Sequence, residues 1–484
     1  MRFAPEYVSL VLNENFEDAK TLFLSPLLAI HYAHLVMLAD RGLLAPGDAR
    51  RLRAALDSVS EHDVRRKVFD GACEDLFFYV EGLIAAGAGE DTAGRLHVAR
   101  SRNDVDMTMY RMRQREFVLD LVQATLDLRT SLIDVARRHV HTIFPAHTHT
   151  QPAQPTTVAH YFLGAIEQLE RDVVRLRAAY DTTNRNPLGS CAITGTGFDI
   201  DRHLTSALLG FSGPTGNTYG SIATVDYLLE SLSATAVTLT GLGRMVQDLL
   251  LWCTVEVGYL RLGDGFVQSS SIMPQKRNPV ALEHARAIGS RALGQCLAVT
   301  MAAHNTPFGD IVDTEDDLQP LVHAAFRDAT RALRLVAAAV GDARFDEARM
   351  ALAADEGGTT MTELADTLTR EHALPFRTSH AVAAAFAAHR AAHPTTPLAE
   401  ALAEASRAVL GHAVDYDETK LTAVLGARHF VAIRRTLGGP APEETTRALG
   451  EAATRLADDR AWLAGTREAL AHATRLLHER AAAL

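Results

Sequence analysis

The sequence predicts an all-α protein built round a central bundle of long helices, and three observations carry that expectation. Apolar residues recur at steps of three and four over long stretches. Convincing period-two alternation is scarce, and no hairpin signal is flanked by such runs. The composition, 47% hydrophobic and 22% charged over 484 residues, is globular and provides for a large buried core.

Taken in order, residues 1–104 form the expected N-terminal helical domain. Its opening stretch, MRFAPEYVSLVLNENFED, lacks the apolar run of a signal peptide and turns acidic quickly. The polar turn HVARSRND closes it. Residues 105–355 form a central helical-bundle domain. Val118, Leu121, Thr125, Leu128, Leu132 and Val135 trace one helix face, and Ala281, Ala285, Ile288, Ala292, Cys296 and Val299 another. Residues 222–262 make a third, nearly all-apolar stretch, which implies burial on most sides. Within it, ATAVTLTGLGRMVQDLLLW is interrupted by Arg244 and Asp248 and suits a core helix better than a membrane span. DEGG at 355–358 leads into a C-terminal helical domain, 356–484, in which GGPAP at 438–442 is a loop.

Charge and cysteine usage exclude several function classes. With 48 basic against 59 acidic residues the net charge is −11, so no basic footprint for nucleic acid exists. Cys73, Cys191, Cys253 and Cys296 are far apart without a CxxC pair, which suits free thiols in a reducing compartment; the cytoplasm is expected. Only four basic residues are Lys (Lys20, Lys67, Lys276, Lys420), so a Lys inside an unusual loop is conspicuous.

That loop is SSSIMPQKRNP, residues 269–279. Gly263 and Gly265 loosen the backbone before it and Pro274 breaks any helix, while Asn278 and Pro279 read as N-cap and first-turn residues of the next helix. A helix N-terminus with Lys276 beside it favours an anion; the plain alternative is a capped surface loop. A second cluster, LHVARSRND, packs Arg100, Ser101, Arg102, Asn103 and Asp104 into five positions, presenting hydroxyl, guanidinium and amide donors suited to a carboxylate, or a solvated turn with an Asp or Asn helix cap. The third, HTHTQPAQPTTVAH, sets His147 and His149 two apart, with Pro152 and Pro155 holding the backbone extended. No Asp, Glu or Cys lies close by in sequence to complete a ligand set, so neither metal nor cofactor is expected. A His oriented by a distant carboxylate for proton transfer is the functional reading, a satisfied structural His the other.

With those three clusters in order, the chain resembles the fumarase/aspartase superfamily, and within it the argininosuccinate lyase branch. SSSIMPQKRNP is similar to that branch's GSSxMPQKxNP loop, ARSRND to its first region and THTQPAQP to its second. NPLGSCAITGTGFDIDR, LPFRTSH and GGPAPEE extend the similarity along nearly the whole chain. The resemblance implies a three-domain all-helical fold whose bundles form a 20-helix core in a homotetramer, with each active site drawn from three subunits. It also implies roles. Ser270 is the catalytic Ser, Lys276 and Asn278 bind carboxylate, and Ser101, Arg102 and Asn103 contact substrate. Thr148 and His149 form the second-region pair, with Glu283 orienting the His.

The implied reaction is reversible elimination of fumarate from an N-substituted L-aspartate. Ser270 removes the C3 proton to give an aci-carboxylate, whose second negative charge needs preorganised donors. The sequence departs from the branch where the arginine half of argininosuccinate is gripped. In DIVDTEDDLQP, residues 310–320, the Tyr becomes Asp310, the Gln Glu315 and the Lys Leu318, while Val105 and Gly220 replace a Gln and an Asp elsewhere. That pattern resembles amine-succinate lyases such as ethylenediamine-disuccinate lyase. The five acids from Asp310 to Asp317 either attract a cationic amine or make a solvated helix start. An ordinary argininosuccinate lyase and a non-catalytic structural homologue are the alternatives.

Overall fold

The computed structural model describes residues 3–356 and 358–484, and nearly all its regular structure is helical. Five long helices, Arg102–Arg138, Val158–Thr183, Asp226–Trp252, Val280–Ala303 and Gln319–Gly341, make the centre. Their apolar stripes meet in one core: Val118, Leu121 and Leu128 pack with Phe162, Ile166, Leu239, Val299 and Phe326. The faces expected at 118–135 and 281–299 therefore point inward, with Ile288 only partly buried. The stretch expected over 222–262 is a shorter helix: it starts at Asp226, and beyond Trp252 the chain turns through Gly258 (φ +64°) into the short strand Leu260–Arg261. Among the described residues no single helix is long and apolar enough to cross a membrane.

The N-terminal helices share this core through Phe16, Leu24, Leu27 and Leu35. Residues between Leu364 and Leu421 form a separate small core around Leu368, Phe386 and Leu402. The last helix, Pro442–Ala482, lies back on the bundle through Leu449, Leu456 and Leu463. Fully buried Arg129 clamps it there, bonding Asp459 at 2.5 Å and Glu170 at 3.3 Å.

Two local expectations need correction. The segment read as free of hairpins holds one: Ile143–Thr148 pairs antiparallel with Gln151–Thr157, with a bulge between Ala146 and His147. Asn278 does not cap the following helix. Its backbone pairs with Gln268 in a two-residue ladder, and the helix begins at Val280 with Pro279 as an N-cap that provides no side-chain bond. The Ser269 to Arg277 loop is thus closed at its base, where Arg277 also bonds Asp264 (2.6 Å) and the Leu262 carbonyl (3.1 Å).

Candidate active site

The first polar cluster sits where the chain enters the helix Arg102–Arg138, with Ser101 as N-cap and the Asp104 carboxylate accepting the Ser101 N–H at 2.8 Å. The Ser101 hydroxyl bonds the Asn103 side-chain oxygen at 2.5 Å, and the Asn103 amide donates to Asp310. The first cluster and the 310–320 segment therefore touch. Arg102 turns away, its Nη1 held by Glu74 (2.7 Å) and Asp75 (3.0 Å).

Two buried members of the cluster, Asp104 and Arg100, hold this turn through partners that sequence reasoning missed. Asp104 also accepts Gly189 N–H (2.7 Å) and Cys191 N–H (3.0 Å); burial pushes its carboxyl up to about 6 against those three donors. Gly189 is required there: at φ +89° a Cβ would lie 2.8 Å from Arg202 and Ile200. Below the turn, Arg100 donates to Glu81 at 2.5 Å and to His31 Nδ1 at 3.0 Å. Burial, then the Arg100 charge, push His31 well below its ordinary range, so it accepts as a neutral ring. Burial would raise Glu81, but His97 and Arg100 outweigh it and hold the carboxyl low. The sequence signal for Arg100 was its place in the ARSRND run; its partner Glu81 carries no local mark.

Thr148 and His149 lie at the hairpin tip. His149 (φ +49°) and Thr150 (φ +64°) are the two central residues between paired Thr148 and Gln151, the geometry of a type I′ turn, built without the Asn-Gly such turns favour. Both Thr148 and His149 are exposed. A cavity of about 1550 Å³ lies behind the hairpin, lined by His147, Thr150, Gln154 and His160, yet Thr148 and His149 are not part of its wall. The two His of the HxH therefore serve different surroundings. Among the described residues no three His, Cys, Asp or Glu side chains gather to hold a metal ion.

Ser270 lies on the closed loop, its hydroxyl accepting the Met273 N–H at 3.1 Å. Lys276 and Glu283 are exposed, and Asn278 is half-buried at the loop base. Among the described residues no hydrogen bond or ion pair within the chain joins Ser270, Lys276 or Glu283 to His149 or Asn103. One chain thus brings together Ser101, Asn103 and Asp310, and displays the hairpin and the loop separately.

Beside Asn103 the rewritten segment forms an acidic group that crosses elements. Tyr110 donates to Asp316 at 2.5 Å. Burial raises Glu315 to about 8, helped by a hydrogen bond with Asp310. Burial, then the Asp316 charge, push Asp106 well above the usual carboxylate range.

The chain is thus a long-helix bundle that presents polar turns at helix and hairpin ends, and comparison with known proteins places it. Residues 40–294 match the lyase family model. The chain is 39% identical to the argininosuccinate lyase of Methanoculleus marisnigri over 446 residues, covering 92% of this chain and 90% of that protein. It is 39% identical to argininosuccinate lyase 2 of Agrobacterium fabrum over 444 residues, 91% and 88% of the two chains. A variant of EDDS lyase solved with bound fumarate superposes with a TM-score of 0.87 at 29% identity, covering 99% of this chain and 96% of that one. The chain belongs to the lyase family of the fumarase/aspartase superfamily, in its argininosuccinate lyase branch. It is a carbon–nitrogen lyase.

Proposed function

We propose that the protein reversibly eliminates fumarate from an N-substituted L-aspartate whose leaving amine is not arginine. Ser270 takes the C3 proton; Lys276, Asn278 and Thr148 hold the growing aci-carboxylate charge. Ser101 and Asn103 bind a substrate carboxylate, and His149, oriented by Glu283, binds carboxylate or moves a proton. A loop that closes over bound substrate and excludes water makes a Ser a workable base.

These groups meet if each site takes Asn103, His149 and Lys276 from different subunits of a homotetramer. The exposure of His149, Lys276 and Glu283 supports that arrangement, as do exposed Val174, Leu297 and Met301 on the bundle helices. The four thiols, none in a disulfide, fit the cytoplasm.

The observation that carries the choice of amine is the bond from Asn103 to Asp310. It puts the rewritten segment directly beside the first cluster. A second reading, ordinary argininosuccinate lyase, is favoured by the names of the relatives at 39% identity. Steady-state kinetics separates the two: kcat/KM for argininosuccinate should fall well below about 10⁴ M⁻¹s⁻¹, and a value at or above it restores the ordinary reading. Ser270→Ala should lose most activity with any cleaved N-substituted aspartate while the assembly's mass is unchanged; near-normal turnover sinks the assignment of the base.

A further inference from the structure

We propose that Asp104 is a positioning residue for the lyase reaction: as a buried anion it ties the loop 186–191 to the start of the helix Arg102–Arg138, and so fixes Ser101 and Asn103 for a substrate carboxylate. This role rests on the lyase reading above and deepens it.

A helix cap needs one bond here, and Asp104 Oδ1 provides it by accepting the Ser101 N–H. Its second oxygen does more than a cap requires. Oδ2 reaches across 85 and 87 residues to accept the Gly189 and Cys191 N–H groups. Arg202 grips the same loop by its carbonyls, with Nε on Leu188 at 2.9 Å and Nη2 on Asn186 at 3.1 Å. The loop is thus held along both edges, by a carboxylate on one and a guanidinium on the other. On the far side of Asp104, the Ser101 hydroxyl bonds the Asn103 side-chain oxygen, which leaves the Asn103 amide to donate away from the turn, to exposed Asp310. One line of bonds therefore runs from the buried loop through Asp104 and Ser101 to the amide that would meet substrate.

That line needs the charge. The three groups bonded to the Asp104 carboxyl are all N–H donors, and a proton on either oxygen would set a second donor against one of them. The side chain is fully buried. The charged or titratable groups facing it are Arg100 from its own turn, Arg202 from the helix Arg202–Leu208 and the Cys191 thiol from the loop. Burial brings the carboxyl up to about 6, so the anion is complete in neutral solution and is lost in mild acid.

The test measures the fumarate dissociation constant of the whole assembly by titration calorimetry, in the parent and in Asp104→Asn, at about pH 8 and about pH 5, where fumarate stays largely ionised. The variant keeps the shape but turns an NH₂ onto one of the three N–H groups. At the higher pH it should bind fumarate about tenfold more weakly than the parent, the factor that one lost charge-assisted hydrogen bond supplies. At the lower pH the parent's Asp104 takes up its proton, and the ratio of the two constants should fall toward one. Groups elsewhere that gain charge act on both proteins alike and leave the ratio unmoved. A ratio near one at the higher pH overturns the proposal, as does a tenfold ratio that persists at the lower pH, the result of mere damage to the fold. Should Asp104→Asn not fold, the parent decides: its affinity should weaken from about pH 7 to about pH 5, against the tightening that histidines gaining charge would give an anion. Unchanged or tighter binding overturns the proposal. A parent that binds no fumarate at any pH fails the lyase reading itself, whereas a parent that binds it with an unmoved ratio removes only the role of Asp104.

Discussion

Replacing the two turn residues of the hairpin, His149→Asn with Thr150→Gly, should make the protein more stable and nearly inactive. Both residues hold positive φ, at +49° and +64°, in a region that disfavours side chains with a Cβ. Left-handed backbone costs roughly 1–2 kcal/mol per residue, so the native turn stores on the order of 2–4 kcal/mol. Glycine at 150 relieves its share but loses about 0.5–1 kcal/mol to its greater freedom when unfolded, and asparagine relieves part of the strain at 149. The net expectation is a gain of about 1–2 kcal/mol for the pair. Thr150→Gly alone should give the smaller part of that gain and keep most activity, because the proposed chemistry uses the His149 ring and not the Thr150 side chain. His149→Asn should lower kcat by about 100-fold or more, the usual contribution of a positioned proton-transfer or anion-binding group. Denaturant unfolding followed by circular dichroism, with fumarate absorbance for activity, measures both. A double variant less stable than the parent would show that the turn is unstrained. A fully active His149→Asn enzyme would show that the strain is not kept for catalysis.

Two further predictions concern the groups around the first cluster. Fully buried Arg100 pairs with half-buried Glu81 at 2.5 Å, so Glu81→Gln, which strands the buried charge, should destabilise by about 3 kcal/mol, Arg100→Met by somewhat less, and the double variant by clearly less than the sum. A coupling below about 0.5 kcal/mol would refute the pair's role. Glu315 lies at about 8 in the folded chain against 4.5 unfolded, so its contribution to stability is fully present below pH 4.5 and is lost as pH rises through 8. Glu315→Gln should therefore be more stable than the parent at about pH 9, by on the order of 1–2 kcal/mol after allowing for solvent contact, with little difference near about pH 5. An equal difference at both pH values would contradict that titration.

Three of the five long helices were legible because each carries an apolar stripe that tertiary packing then used, as at Leu121, Leu128 and Ala285; Val158–Thr183 and Gln319–Gly341 were not read from the sequence. The hairpin was not, because Pro145, Pro152 and Pro155 interrupt its strands and His149-Thr150 stands where Asn-Gly would have marked the turn. The cap at Asn278 was misplaced because its backbone is committed to pairing with Gln268, a partner ten residues back that no local propensity reveals. The polar motifs at 101–103, 148–149 and 269–278 stand out as runs of hydrogen-bonding residues. The Arg100–Glu81–His31 support does not, since its members lie 19 and 69 residues apart. Asp106 carries no local mark in the sequence, and only the fold shows that it faces Asp316.

The most direct test of the account is fumarate release from a mixture of two inactive variants. His149→Asn and Lys276→Met proteins, each nearly inactive alone, are dissociated together and reassociated. Hybrid tetramers should regain a sizeable fraction of parental activity, because some of their sites take both an intact hairpin and an intact loop from different chains. Hybrids confirmed by mass that release no fumarate would contradict a site assembled across subunits from these segments.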